Sequence, residues 1–350
     1  MKRRSFLASV AALSAASRNA TGVSAAAARV APAPHTPICP VNNEVVNVRC
    51  APYSAKGDGI ADDTRAFTVA RSASNTIYVP PGVYNVHGFD GAGASIIGAG
   101  RGVTAIQGDG DLITNAVEFN IERVTIRNVK VRGKLISVGP GPDTGRTTFR
   151  DIEFGMAASH VYADRACVDW SFENCRFNDA SDVSRYIKAA WALKEIGCYS
   201  WYNLVGLKVT GGMTLVSIGC VYEFNSSQAI ILSAANSGGI NNVMFQGTHF
   251  ESNGNANLTE TVRLETVVAE RIRNVAFNSC TFLALKGKEH VYAYAGAGGT
   301  IARISFRDVF ASERLMNSGF SPTLDNVEFN VGSPPSDALV VESLLERIRR

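Results

Sequence analysis

Between Val124 and Phe329 the apolar positions follow a repeated eight-residue phrase, apolar at the first, third, sixth and eighth places with a turn-forming residue at the fifth. Val124, Ile126, Asn128, Val129 and Val131 set the template, and further copies start at Thr147, Trp170, Leu193, Leu215, Val243, Val275, Ile304 and Pro322. The first four steps are 23, 23, 23 and 22 residues; the later ones, 28, 32, 29 and 18, leave room for loops of varying length. Alternation with period two places the first and third residues on one face of a strand. The sixth and eighth return to that face only if the chain bends between them. The fifth residue permits this bend, being in turn Asn128, Asp151, Asn174, Gly197, Gly219, Gly247, Ser279, Asp308 and Asn326, types that tolerate left-handed backbone.

One such unit cannot bury its own apolar face, so copies must stack, and a period near 22 with two or three short strands predicts an all-β chain wound as a parallel β-helix. Like positions then lie above one another at about 4.8 Å. The predicted interior columns are Phe149, Phe172, Phe245, Phe277 and Phe306 at the third place, and Cys175, Cys198, Cys220 and Cys280 at the sixth. Buried there, the cysteines are expected to pack as small hydrophobes. Cys39 and Cys50 lie outside the column and are free to pair.

The 350 residues, 46% hydrophobic, suffice for a large core, and a net charge of +3 gives no footprint for nucleic acid. No apolar run approaches the roughly 20 residues that span a bilayer. Lys2-Arg3-Arg4-Ser5-Phe6-Leu7 and the alanine-rich stretch to Ala28 have the outline of an export signal. The order resembles a twin-arginine signal, which implies an exported, periplasmic or extracellular bacterial protein. Residues 1–28 are thus expected to be signal, 29–50 a proline-bearing linker, 51–334 the β-helix, and 335–350 a tail or terminal helix.

In Tyr53-Ser-Ala-Lys56-Gly57-Asp58-Gly59-Ile-Ala-Asp62-Asp63-Thr64-Arg-Ala-Phe67 the glycines and Asp58 predict a turn. Asp62 or Asp63 would cap a short helix from Thr64 to Arg71 that puts Ala66, Phe67 and Ala70 on one side. With Thr76-Ile-Tyr78-Val-Pro80-Pro81-Gly82-Val-Tyr84 and Ala94-Ser-Ile96-Ile-Gly98-Ala99-Gly100, this stretch resembles the N-terminal signature of the pectate lyase superfamily. The likeness is to the rhamnogalacturonase and tailspike group of single-stranded proteins. It implies a right-handed, pectin-lyase-like β-helix whose open end is capped by the helix, Asp58, Asp62 and Asp63 as architectural residues, and a polysaccharide as partner. Many relatives are trimers, though nothing in this sequence demands it. The Asn-Thr-Asp and Gly-His-Gly pattern of polygalacturonase-like hydrolases is missing, so that group's catalytic residues are not carried over.

Candidate chemistry must lie on outward positions, which the register places at Tyr199, Trp201 and Asn203, at Val221, Glu223 and Asn225, and at His249, Glu251 and Asn253. Glu223 and Glu251 fall on one rung of neighbouring coils with His249 beside them, a catalytic constellation in which like charges raise one pKa and separate acid from base. Tyr199, Trp201, Asn203, Asn225 and Asn253 would bind substrate, unless the asparagines form a structural ladder and the glutamates serve turns. Asp164, Asp169, Asp179 and Asp182, with Arg185 and Lys188, outline a second place for an anionic sugar. There calcium would assist a lyase and Arg185, Lys188 or Lys194 would be its base. A hydrolase needs no cofactor. The first reading is therefore a glycoside hydrolase acting on an extracellular, acidic or branched polysaccharide. The alternatives are a lyase of the same fold and a non-catalytic glycan-binding or adhesion module.

Overall fold

The computed structural model describes residue 39 and residues 44–235, 238–254, 260–267, 269–283, 289–312, 315–318 and 324–330. Residues 1–28, expected to be an export signal, and residues 335–350, expected to be a tail or terminal helix, lie outside these. The described residues wind into parallel sheets of 12, 11 and 10 strands, a complete coil contributing one strand to each sheet. A representative coil runs Trp170–Glu173 in the first sheet, Arg176–Asn178 in the second and Val183–Ala190 in the third. Among the described residues, no helix is long and apolar enough to cross a membrane.

The repeat phrase spans the bend from first to second sheet, and its register holds coil after coil. Phe149 pairs with Phe172, Phe172 with Glu195, Ser217 with Phe245, Phe245 with Phe277, and Phe277 with Phe306. Aromatic rings stack where the column has them, Phe149 on Phe172 at 4.6 Å and Phe245 on Phe277 at 5.0 Å. Burying each such side chain contributes roughly 1.5–3 kcal/mol. Cys175, Cys198, Cys220 and Cys280 are all buried with free thiols. The thiols of Cys175 and Cys198 each reach a backbone carbonyl, of Phe149 and Phe172, at 3.3 Å. Cys39 and Cys50 are joined by a disulfide.

Two phrases are displaced from the sequence reading. Ile121, not Ile126, pairs with Phe149, while Ile126 pairs with Phe154 in the second sheet; the phrase therefore begins at Phe119, and Val129 and Val131 are exposed. At the other end Ile304 pairs with Val327, so the last copy begins there and not at Pro322. Both displacements are five residues, because the two apolar pairs of the phrase are themselves five apart and one can be mistaken for the other. The coil also starts earlier than position 51: Val45–Asn47 already pairs with Thr76–Tyr78.

Helix α1, Thr64–Ala73, buries Ala66, Phe67 and Ala70, and Phe67 meets the rings of Tyr84 and Phe89 edge-on at 5.7 and 6.0 Å. The aspartates before it bind backbone. Asp58 accepts from the amides of Ile60 and Ala61, Asp62 from that of Thr64, and Asp63 from those of Lys56 and Gly57. Gly57, at φ +60°, packs so closely on Arg49 and Tyr84 that a Cβ there would overlap both.

Candidate active site

Three short strands of the second sheet, Tyr199–Trp201, Val221–Glu223 and His249–Glu251, each bury their middle residue and present the flanking two. Ser200, Tyr222 and Phe250 point inward, as period two requires. Trp201 is in register with Glu223, Glu223 with Glu251, and Val221 with His249. The sequence-predicted residues Tyr199, Trp201, Glu223, His249 and Glu251 therefore share one outer patch spanning three coils.

Within it the Tyr199 hydroxyl donates to Glu223, and the Tyr199 ring lies 4.6 Å from that of Trp201. His249 Nε2 lies 3.0 Å from Glu251 Oε2. Half-burial, and after it the charge of Glu251, raises the Glu223 carboxyl above the usual carboxylate range, with His249 opposing. Glu223 is thereby suited to hold a proton, with Glu251 in register beside it and bonded to His249. One donor atom from each of Glu223, His249 and Glu251 lies within 4.8 Å of the others. A mixed set of two carboxylates and an imidazole suits zinc or a similar transition metal better than calcium, which wants six to eight oxygens.

The three asparagines do not face a substrate. Asn203, Asn225 and Asn253 are buried inside the coil, each following a residue at positive φ: Tyr202 at 55°, Phe224 at 50° and Ser252 at 50°. That left-handed residue interrupts the alternation and turns the next side chain inward. The result is a ladder in which Asn203 Nδ2 donates to Asn225 Oδ1 at 3.0 Å and Asn225 Nδ2 to Asn253 Oδ1 at 2.8 Å. Asn225 and Asn253 also donate to the carbonyls of Ser200 and Tyr222.

Arg185 is likewise removed from any surface role. Its side chain is fully buried, with Nε 2.8 Å from Glu195 Oε1 and the guanidinium 3.9 Å above the Phe177 ring. The Tyr222 hydroxyl donates to the same glutamate. The signal of this polar core is in the sequence: Glu195 occupies the third place of its phrase, where the two preceding copies have Phe149 and Phe172 and the next has Ser217.

Lys188 is partly exposed and ion-paired with Asp164 at 3.0 Å, which holds the ammonium above its usual pKa, opposite to what a base needs. Asp169 pairs with Arg146 and Lys194, and Asp179 accepts from Asn178. Among the described residues the four aspartates do not converge on a common cation site; the only such grouping is Glu223, His249 and Glu251.

No family model matches the sequence, and no curated relative does. Solved structures are similar. ORF18 of Geobacillus virus E2 aligns with 82% of this chain at 18% identity and a TM-score of 0.52, this chain spanning 61% of the viral one. The likeness is one of fold. Two others fall below that TM-score. The A-module of mannuronan C-5 epimerase AlgE4 from Azotobacter vinelandii has 14% identity, 84% and 99% coverage of the two chains, and a TM-score of 0.47. The catalytic unit of the GH87 α-1,3-glucanase from Streptomyces thermodiastaticus has 14% identity, 86% and 71% coverage, and a TM-score of 0.45. The chain has the parallel β-helix fold, and its chemistry must be argued from its own residues.

Proposed function

We propose that this protein is an exported glycoside hydrolase that cleaves an extracellular polysaccharide along the outer face of its second sheet, with helix α1 covering the N-terminal end of the coil. The observation that carries the reading is the in-register pair Glu223 and Glu251, one carboxyl raised toward the acid form and the other held by His249. Glu223 gives its proton to the leaving glycosidic oxygen. Glu251 attacks the anomeric carbon from the other side, and water then releases the sugar with Glu223 acting as base. The close approach of the carboxyls, donor atoms within 4.8 Å, favours this retaining course over an inverting one, which leaves about 6.5–9.5 Å for an intervening water. Tyr199 keeps the acid in place, and Trp201 offers a flat apolar face to a sugar ring.

The lyase reading loses its support around Lys188, because Arg185 is buried and Lys188 and Lys194 are bound to aspartates. Purified protein incubated with a panel of plant and bacterial polysaccharides decides among the three. A hydrolase releases reducing ends with no ultraviolet-absorbing product, a lyase releases unsaturated ends that absorb, and a binding module retards on glycan gels while releasing neither.

A further inference from the structure

At the corner between the second and third sheets, successive coils place Asp179, Tyr202, Phe224 and Ser252 in the left-handed region, with φ of 64°, 55°, 50° and 50°. A short polar residue or glycine takes this conformation readily, whereas a bulky aromatic is strained there. The same coils obey that rule at their other corner, where Gly197 and Gly219 sit at φ 60° and 59°. Tyr202 and Phe224 are the only aromatics at positive φ among the described residues. Burial does not compensate, since they are 60% and 43% exposed. Their rings stack on each other, 5.6 Å apart and 17° from parallel, at the molecular surface. Strained backbone carrying exposed apolar groups is a departure from local preference that points to a task outside folding.

The neighbours indicate the task. Tyr202 directly follows Trp201, Phe224 directly follows Glu223, and one coil on, Ser252 directly follows Glu251. The stack therefore borders the carboxylate pair. One coil beyond Phe224 the equivalent left-handed position is held by Ser252, a small residue that carries no third ring.

We infer that Tyr202 and Phe224 form a stacking subsite for a hexopyranose ring next to the one that is cleaved. The C–H face of the sugar packs on Phe224 while its hydroxyls remain in water, and the strained corner holds the rings edge-out from the sheet. This rests on the hydrolase reading of the same patch, and the flanking Glu223 and Glu251 favour a neutral sugar over a uronate.

The test uses full-length protein carrying Tyr202→Asn, Phe224→Asn or both, with Phe224→Leu to keep the strain and remove the ring, and Glu251→Gln as reference. Affinity is read by gel retardation in neutral glycans and uronans, and stability by the thermal midpoint. The asparagine variants are expected to melt no lower than the parent, because the strain is relieved, while binding a neutral glycan at least about tenfold more weakly, the loss of a well-placed aromatic contact. Phe224→Leu should lose affinity without gaining stability. Glu251→Gln should bind like the parent. A parent that binds glycan as tightly as its asparagine variants overturns the subsite alone. A parent that neither binds nor cleaves any glycan overturns the hydrolase reading and the subsite with it. A parent that sediments as an oligomer, dissociated by the double variant with glycan affinity unchanged, would assign the rings to self-association and overturn the subsite.

Discussion

Arg185 Nε lies 2.8 Å from Glu195 Oε1, and neither side chain reaches solvent. Glu195 stands in the column that Phe149 and Phe172 occupy in the preceding coils, so a carboxylate replaces a ring in the middle of the core. A buried ion pair is sensitive to the loss of one partner and tolerant of the loss of both. Glu195→Ala should cost about 3–5 kcal/mol by leaving Arg185 uncompensated, whereas Arg185→Met combined with Glu195→Leu should be neutral or stabilising. Thermal melts of the two variants check this. Glycan affinity of the double variant should equal the parent's, since neither group touches the outer face.

Asn225 makes a second structural prediction. Its amide oxygen accepts from Asn203 and its amide nitrogen donates to Asn253 and to the Ser200 carbonyl, all inside the coil. Asn225→Ala should lower stability by about 1–3 kcal/mol for each buried group left without a partner. Denaturation monitors that loss. The folded fraction should bind and cleave glycan normally, an outcome that a substrate-binding asparagine would not give.

The raised Glu223 carboxyl sets a pH dependence. The folded chain holds this proton more tightly than the unfolded one, so its contribution to stability is complete below about pH 4.5 and is lost as pH rises through the raised value. Glu223→Gln should match the parent in acid and exceed it in thermal midpoint at neutral pH. The same titration removes the catalytic proton. The parent's kcat/KM should fall on the alkaline side with that pKa, and the variant's residual rate should lack this limb. pH profiles of melting and rate test both halves.

A chelator should leave the rate unchanged, because the proposed chemistry runs through the Glu223 proton and the Glu251 carboxylate oxygen as nucleophile and needs no metal. Loss of activity in EDTA, restored by zinc or manganese, would reassign Glu223, His249 and Glu251 as metal ligands.

Much of this was legible in the chain. The phrase beginning at Thr147 and recurring at Trp170, Leu193, Leu215, Val243, Val275 and Ile304 matches the observed coil register, and with it the alignment of Glu223 on Glu251. What the pattern missed has local physical causes. The phrase is ambiguous by five residues, which misplaced its first and last copies. Strict period two does not hold past Trp201, Glu223 and Glu251, because Tyr202, Phe224 and Ser252 take the left-handed conformation where glycine or asparagine is usual. That one conformational event turned the asparagines inward. Arg185 has its partner Glu195 in another sheet, a relationship that no local periodicity reveals.

The most direct measurement is the turnover of Glu223→Gln and Glu251→Gln on whichever polysaccharide the parent cleaves, with binding followed in parallel. Glu223→Gln should lower kcat by about 10²–10⁴-fold, the usual contribution of a positioned acid or base, and Glu251→Gln, which removes the nucleophile, by at least as much, while glycan affinity stays near the parent's. Turnover in both variants within a few-fold of the parent would contradict the assignment of chemistry to this pair of carboxylates.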